Sequence, residues 1–266
     1  MKIAIVGGGV MGEAMVGALL ARGVAEASDI AVCDVLEERR RLLAERYGVR
    51  TFPQAAEAVK GADLAVLAVK PQEFPAAARS LAGSDGSPLF LSIMAGVPLR
   101  ALTSQLGSQR VVRAMPNTPA QIGEGVTVWT ASPAVDEGDR QRVRRVLAAL
   151  GFELYVEDEK YVEMATAVSG SGPGFVFLLL EALVDGAVHI GLPRPVAVEL
   201  VYRTVLGSVR YAQATGRHPA DLRAQVTSPG GTTSAGLLAL ERAGVRAAMM
   251  AAVEAAYRRA LELGGQ

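Results

Sequence analysis

Apolar positions follow two rhythms along this chain, and the change from one to the other divides it. Ile3-Ala4-Ile5-Val6 is an unbroken apolar run, as expected for a strand buried on both faces of a parallel sheet. Comparable runs recur at residues 30–32, 64–69, 89–93 and 111–114, with later strands expected at 126–130 and 152–156. Between them lie segments rich in Ala, Glu and Arg with helical spacing, at 13–22, 36–47, 55–60 and 137–150. Strands alternating with helices read as βαβ units and a doubly wound α/β sheet.

Beyond residue 156 the strand rhythm stops. Residues 173–190, 195–215, 233–243 and 246–263 have helical spacing, and Pro173, Pro195 and Pro219 stand where helices would start. The pattern predicts an α/β domain over 1–160 and an all-helical domain over 161–266. The second is apolar over more than one stripe, which suggests burial against a partner chain. Residues 1–20 superficially resemble a signal peptide, but three consecutive glycines and Glu13 interrupt the apolar stretch. A strand, a glycine turn and a helix fit better. The apolar stretch at 175–192 contains Glu181 and Asp185, carboxylates that a spanning helix would bury in hydrocarbon. A helix buried in protein is expected there, and a cytoplasmic protein without a membrane segment.

Charge and rare residues narrow the chemistry. The 266 residues carry 27 Lys+Arg against 27 Asp+Glu, a balance that argues against nucleic-acid and polybasic membrane partners. With Cys33 the single cysteine and His189 and His218 far apart, no intrachain disulfide is possible and no metal site is expected. No Gly-x-Ser-x-Gly elbow accompanies a Ser-His-Asp arrangement.

Gly7-Gly8-Gly9-Val10-Met11-Gly12 fits the dinucleotide fingerprint. It follows the first strand, opens a helix, and is completed by Asp34 at the end of the second strand, a context that makes it specific. Gly7 allows the turn, Gly9 lets backbone approach a pyrophosphate, and Gly12 lets helix pack on sheet. Asp34 would accept from a ribose 2′-hydroxyl, whereas Arg39, Arg40 and Arg41 could meet a 2′-phosphate. The cofactor is NADPH or NADH by this chemistry, with the preference open.

Three further motifs end strands: Ala68-Val69-Lys70-Pro71-Gln72, Ser92-Ile93-Met94-Ala95-Gly96-Val97, and Arg113 to Ala120 with Met115-Pro116-Asn117-Thr118-Pro119. Ligands of open α/β sheets lie outside the carboxyl ends of the strands. Ser169-Gly170-Ser171-Gly172-Pro173 and Thr227-Ser228-Pro229-Gly230-Gly231-Thr232-Thr233 then stand before helices. In this order the motifs resemble pyrroline-5-carboxylate reductases over essentially the whole chain.

The resemblance implies an N-terminal Rossmann domain and a helical domain that interlocks with its twin into a homodimer, often built into a larger ring such as a decamer. It implies hydride transfer from NADPH, or less often NADH, to the C=N carbon of 1-pyrroline-5-carboxylate, giving L-proline. Gly230, Gly231, Thr232 and Thr233 would bind the substrate, with Thr233 the catalytic hydroxyl at the ring nitrogen; Ser169, Ser171 and Glu159 would assist. Gly7, Gly8, Gly9, Val10, Met11, Gly12, Asp34, Ala68, Val69, Lys70, Pro71, Met94, Ala95, Gly96 and Gln225 would hold the cofactor. Asn117 reads as turn chemistry between two prolines. Val10, Asp34, Ala55 and Gly174-Phe175 depart from the family pattern, and none touches the carboxylate loop. Two other readings compete. A β-hydroxyacid dehydrogenase needs a lysine in its helical domain, and none follows Lys160. A non-catalytic nucleotide sensor has no need of an intact Gly-Gly-Thr-Thr loop.

Overall fold

The computed structural model describes residues 1–81 and 88–265. Eight strands form one sheet: β1 (Ile3–Val6), β2 (Ile30–Cys33), β3 (Arg50–Phe52), β4 (Leu64–Leu67), β5 (Leu89–Ser92), β6 (Val111–Met115), β7 (Gly125–Ala131) and β8 (Gly151–Tyr155). Their order is β3-β2-β1-β4-β5-β6-β7-β8. All neighbouring strands run parallel except β6 and β7. A parallel crossover needs about a dozen residues or more. The link from β6 to β7 holds only a short 3₁₀ turn at Thr118–Ile122, so the chain turns back antiparallel.

The helices of the first half are α1 (Val10–Ala21), α2 (Glu37–Tyr47), α3 (Ala55–Val59), α4 (Phe74–Leu81), α5 (Leu99–Leu106) and α6 (Glu137–Ala148). They cover both faces of the sheet. Ile3, Ile5, Val32, Leu64 and Val66 pack with Met15 and Leu19 of α1, Leu43 of α2 and Val146 of α6. Ala4, Val6, Ala31, Ala65 and Leu67 face the other way, against Ala58 of α3, Phe74 and Ala78 of α4 and Leu102 of α5. Alternate side chains of one strand thus enter two cores, and for this reason β1 and β4 are apolar at every position.

The second half is helical: α7 (Lys160–Ala165), a π turn at Thr166–Gly170, then α8 (Gly172–His189), α9 (Arg194–Thr215), α10 (Pro219–Gln225), α11 (Thr232–Arg242) and α12 (Val245–Leu263). Pro173, Pro195 and Pro219 lie in first turns, where proline costs no hydrogen bond. The chain divides into two compact units, Met1–Pro173 with Ala255–Gln266, and Gly174–Glu254. In the second unit the apolar residues are largely uncovered: Phe177, Leu178 and Leu183 of α8 and Leu200 and Leu206 of α9 are all exposed. The run Lys160–His189 is long and apolar enough to cross a membrane by length and composition alone, and it carries Glu163, Glu181 and Asp185.

Candidate active site

In the first unit the glycine motif lies at the topological switch, where β1 is flanked by β2 and β4. Gly7 adopts φ +109°, and a Cβ there would sit 2.6 Å from the Ala68 carbonyl oxygen, so the loop lies directly on the end of β4. At Gly12 a Cβ would fall 2.0 Å from the Gly7 oxygen, which lets α1 start close above the loop. A Cβ on Gly9 would meet nothing within 4 Å. Gly9 is the N-cap of α1 and supplies no side-chain capping bond. The first turn of α1 therefore presents backbone N–H groups and the positive end of its dipole to an open face, the arrangement that receives a pyrophosphate. Val10 and Met11 flank this opening, Val10 largely exposed. The cradle fits a dinucleotide.

Asp34 holds this loop. Its Oδ2 accepts the Gly8 N–H at 2.8 Å and its Oδ1 the Leu36 N–H at 2.9 Å. Arg39 donates from Nε and Nη2 to the Gly8 carbonyl at 3.0 and 2.6 Å, and from Nη2 to Glu13 at 2.6 Å. The Arg39 hydrogen bond, helped by Arg46 and Tyr47, holds the Glu13 carboxyl below its ordinary value despite partial burial. Desolvation pushes the Cys33 thiol, one residue before Asp34, up to about 11, which keeps it an unreactive apolar group.

The other expected cofactor segments end β4 and β5. Ala68 and Val69 are half-buried, and Lys70 is exposed as the N-cap of the Pro71–Glu73 turn. The Lys70 ammonium has no hydrogen bond or ion pair among the described residues. Met94-Ala95-Gly96 is backed by the end of α12: Gly96 has φ +72°, and a Cβ there would lie 2.9 Å from the Leu263 Cβ.

Glu159 is engaged by its own unit. Its Oε1 accepts the Leu99 N–H and Arg113 Nη1, both at 2.7 Å. Arg113, almost fully buried, also approaches Glu163 to 2.7 Å. Ser169 donates its hydroxyl to the Ala165 carbonyl at 3.0 Å, whereas the Ser171 hydroxyl has no partner among the described residues. Asn117 had no role beyond turn chemistry in the sequence, yet it donates to the Ser169 carbonyl at 2.9 Å and accepts the Val126 N–H at 2.8 Å.

The remaining expected residues lie in the second unit. Ser228 to Gly231 form a turn closed by Gly231 N–H to Ser228 O at 3.1 Å. Pro229 at the second position and positive φ at Gly230 match a type II turn. Gly231 is the N-cap of α11, without a side-chain capping bond. Thr232 and Thr233 are therefore the first two helical residues rather than caps, and neither hydroxyl is spent within the described chain. Gln225 is exposed at the end of α10. Among the described residues no cluster of His, Cys, Asp and Glu is placed to hold a metal ion.

A doubly wound sheet with a glycine cradle at its switch point, an acid closing β2 and a separate helical unit defines an NAD(P)-dependent oxidoreductase. Residues 2–96 match the family described as NADP oxidoreductase coenzyme F420-dependent, and residues 159–263 match pyrroline-5-carboxylate reductase dimerisation. The chain is 42% identical over 264 residues to the pyrroline-5-carboxylate reductase of Synechocystis sp., covering 99% of this chain and 98% of that one. It superposes on Plasmodium falciparum pyrroline carboxylate reductase with NADP bound at a TM-score of 0.92, with 28% identity and coverage of 99% and 98%. The Coxiella burnetii pyrroline-5-carboxylate reductase matches at a TM-score of 0.89, with 35% identity and 98% of each chain covered. The chain belongs to the pyrroline-5-carboxylate reductase family.

Proposed function

We propose that this protein reduces 1-pyrroline-5-carboxylate to L-proline with NAD(P)H. Residues 1–160 hold the nucleotide, and residues 161–266 bind the substrate and form a homodimer in the cytoplasm. The observation that carries the substrate assignment is the N-terminus of α11, where neither Gly231 nor either threonine spends a side chain on capping. The N–H groups from Thr232 onward and the dipole of an 11-residue helix suit a carboxylate without a cationic side chain.

The nucleotide, when bound, supplies the hydride. The work of the chain is binding and alignment. The residue 230–231 backbone and Thr232 hold the substrate carboxylate, and Ser171 offers a free hydroxyl. Thr233 Oγ1 hydrogen-bonds the ring nitrogen and fixes the tilt of the C=N bond. A cyclic imine that arrives protonated would keep that proton on nitrogen as its carbon accepted the hydride and its C=N π electrons became the amine lone pair, so the chain need supply no strong general acid. Gly7, Gly8, Gly9, Val10, Met11 and Gly12 hold the pyrophosphate. Ala68, Val69, Lys70, Pro71, Met94, Ala95, Gly96 and Gln225 complete the nucleotide contacts, and Glu159, with Oε1 engaged by Leu99 and Arg113, assists with the substrate.

The test is proline formation by the purified protein from pyrroline-5-carboxylate and reduced nucleotide, with Thr233→Ala beside it. A hydrogen bond to a charged group is worth about 1.5–3 kcal/mol, so kcat/KM should fall roughly ten- to a hundredfold. The nucleotide Kd should stay nearly unchanged. Unaltered turnover in Thr233→Ala, or collapse of nucleotide affinity, refutes this division of roles.

A further inference from the structure

The sequence leaves two chemistries at the end of β2, an acid for a ribose hydroxyl and three arginines for a 2′-phosphate; the structure disposes of them differently. In a doubly wound sheet the adenosine ribose lies at this strand end, and the group there reads its 2′ substituent. The Asp34 carboxylate is fixed by two backbone N–H groups, one on each oxygen. An ionised carboxylate has about four acceptor sites, so acceptor capacity remains for ribose hydroxyls.

None of the three arginines forms an ion pair with the Asp34 carboxylate. Arg39 turns inward onto the Gly8 carbonyl and Glu13, and Glu13 also takes Arg46. Arg40 spends Nη1 on the carbonyls of Asp34 and Val35 at 2.8 and 3.0 Å. Arg41 stands in solvent beside Glu45. The intervening residues, Val35 and Leu36, are exposed and carry no hydroxyl or cation. The N-terminus of α2 would attract an anion, but its first turn carries Glu37 and Glu38. A 2′-phosphate, with about −1.5 to −2 charges, would enter beside the Asp34 carboxylate, with Glu37 and Glu38 in the adjoining helical turn.

We propose that this pocket selects the nucleotide with a free ribose 2′-hydroxyl, with Asp34 the specificity-determining residue, so that NADH binds more tightly than NADPH. The proposal rests on the reading of the glycine loop as a dinucleotide cradle.

The experiment is a fluorescence titration of the intact protein with NADH and with NADPH, without imine, followed by steady-state kinetics with each. The Kd for NADPH is expected to exceed that for NADH by at least about tenfold. Asp34→Asn retains an acceptor for the Gly8 N–H and removes the charge, so it should narrow the ratio chiefly by tightening NADPH. Equal or tighter NADPH binding by the unaltered protein overturns the proposal, as does an Asp34→Asn variant whose ratio does not move. An NADPH preference abolished by Arg40→Met would likewise overturn it and assign the pocket to that arginine. If Asp34→Asn fails to fold, thermal shifts of the unaltered protein with NAD+ and NADP+ decide the question. Because binding is read without substrate, failure to make proline refutes the reductase reading and leaves this one standing.

Discussion

Asn117 uses both ends of its amide across two distant segments. The π turn at Thr166–Gly170 closes with Ser171 N–H on the Thr166 carbonyl at 2.8 Å, a wider loop than an α-turn that leaves neighbouring carbonyls unpaired. Ser169 Oγ satisfies Ala165, and Asn117 satisfies Ser169. Asn117→Asp keeps an acceptor for Val126 but sets a carboxylate against a carbonyl in a buried place. It should cost about 1–3 kcal/mol in urea unfolding; an unchanged midpoint would show the tie to be dispensable. Glu13 provides a pH-dependent counterpart. Its carboxyl is held below the ordinary 4.5, first by the Arg39 hydrogen bond. A depressed carboxyl contributes stability that is present above its unfolded value and is lost as pH falls through the folded one. Between about pH 5 and the acid limb, Glu13→Gln should therefore unfold with a shallower pH dependence than the unaltered protein. Parallel profiles would remove Glu13 from that account.

At the scale of elements, the middle of β6 is joined to the start of α7 by charge and, through Glu159, to the first N–H of α5. Arg113 Nη1 and Nη2 lie 2.7 Å from Glu159 and from Glu163, and the Glu163 oxygens accept no aligned hydrogen bond. Removing the cation leaves the Glu163 carboxylate in a closed space. Arg113→Met should thus destabilise by about 3–5 kcal/mol, and adding Glu163→Leu should recover part of the loss. Chemical denaturation of the two variants tests this; no recovery in the double variant would mean the ion pair is not the source. The elements differ in how legible they are from sequence, for a physical reason. β1 and β4 announce themselves because both faces are buried. β3 has only three residues on the sheet edge, half-exposed, so no rhythm marks it. Of the short helices, the Ala- and Glu-rich α3 is marked by its composition, whereas α4 has a proline in its first turn and α5 a Thr-Ser pair in its second half, so neither carries that mark. The glycine loop is legible because its chemistry is backbone chemistry, local in sequence. The restraint of Arg39 by Gly8, and of Ser169 by Asn117, joins residues 31 and 52 positions apart, which no local pattern encodes. The antiparallel β7 reads as a strand, but its direction depends on the length of the preceding link.

For the molecule as a whole, the second unit poses the largest question of burial. In α8 only Val184 is fully buried, and in α9 only Ala197, while Phe177 is 60% and Leu178 64% exposed. Monomeric proteins rarely leave such contiguous apolar surface to water. The same apolar side chains make Lys160–His189 long and apolar enough to cross a membrane, but Glu181 and Asp185 lie within the run, and charge in hydrocarbon is costly. Burial against a second copy resolves both facts, since an isologous interface presents each face to its own twin. A charge placed in that face should then separate the copies rather than unfold the nucleotide unit. Leu178→Arg is expected to shift sedimentation from dimer to monomer at micromolar concentration, while Leu178→Met remains dimeric. If Leu178→Arg sediments as the unaltered protein does, the copies meet through some other face, and the apolar side of α8 needs a different cover.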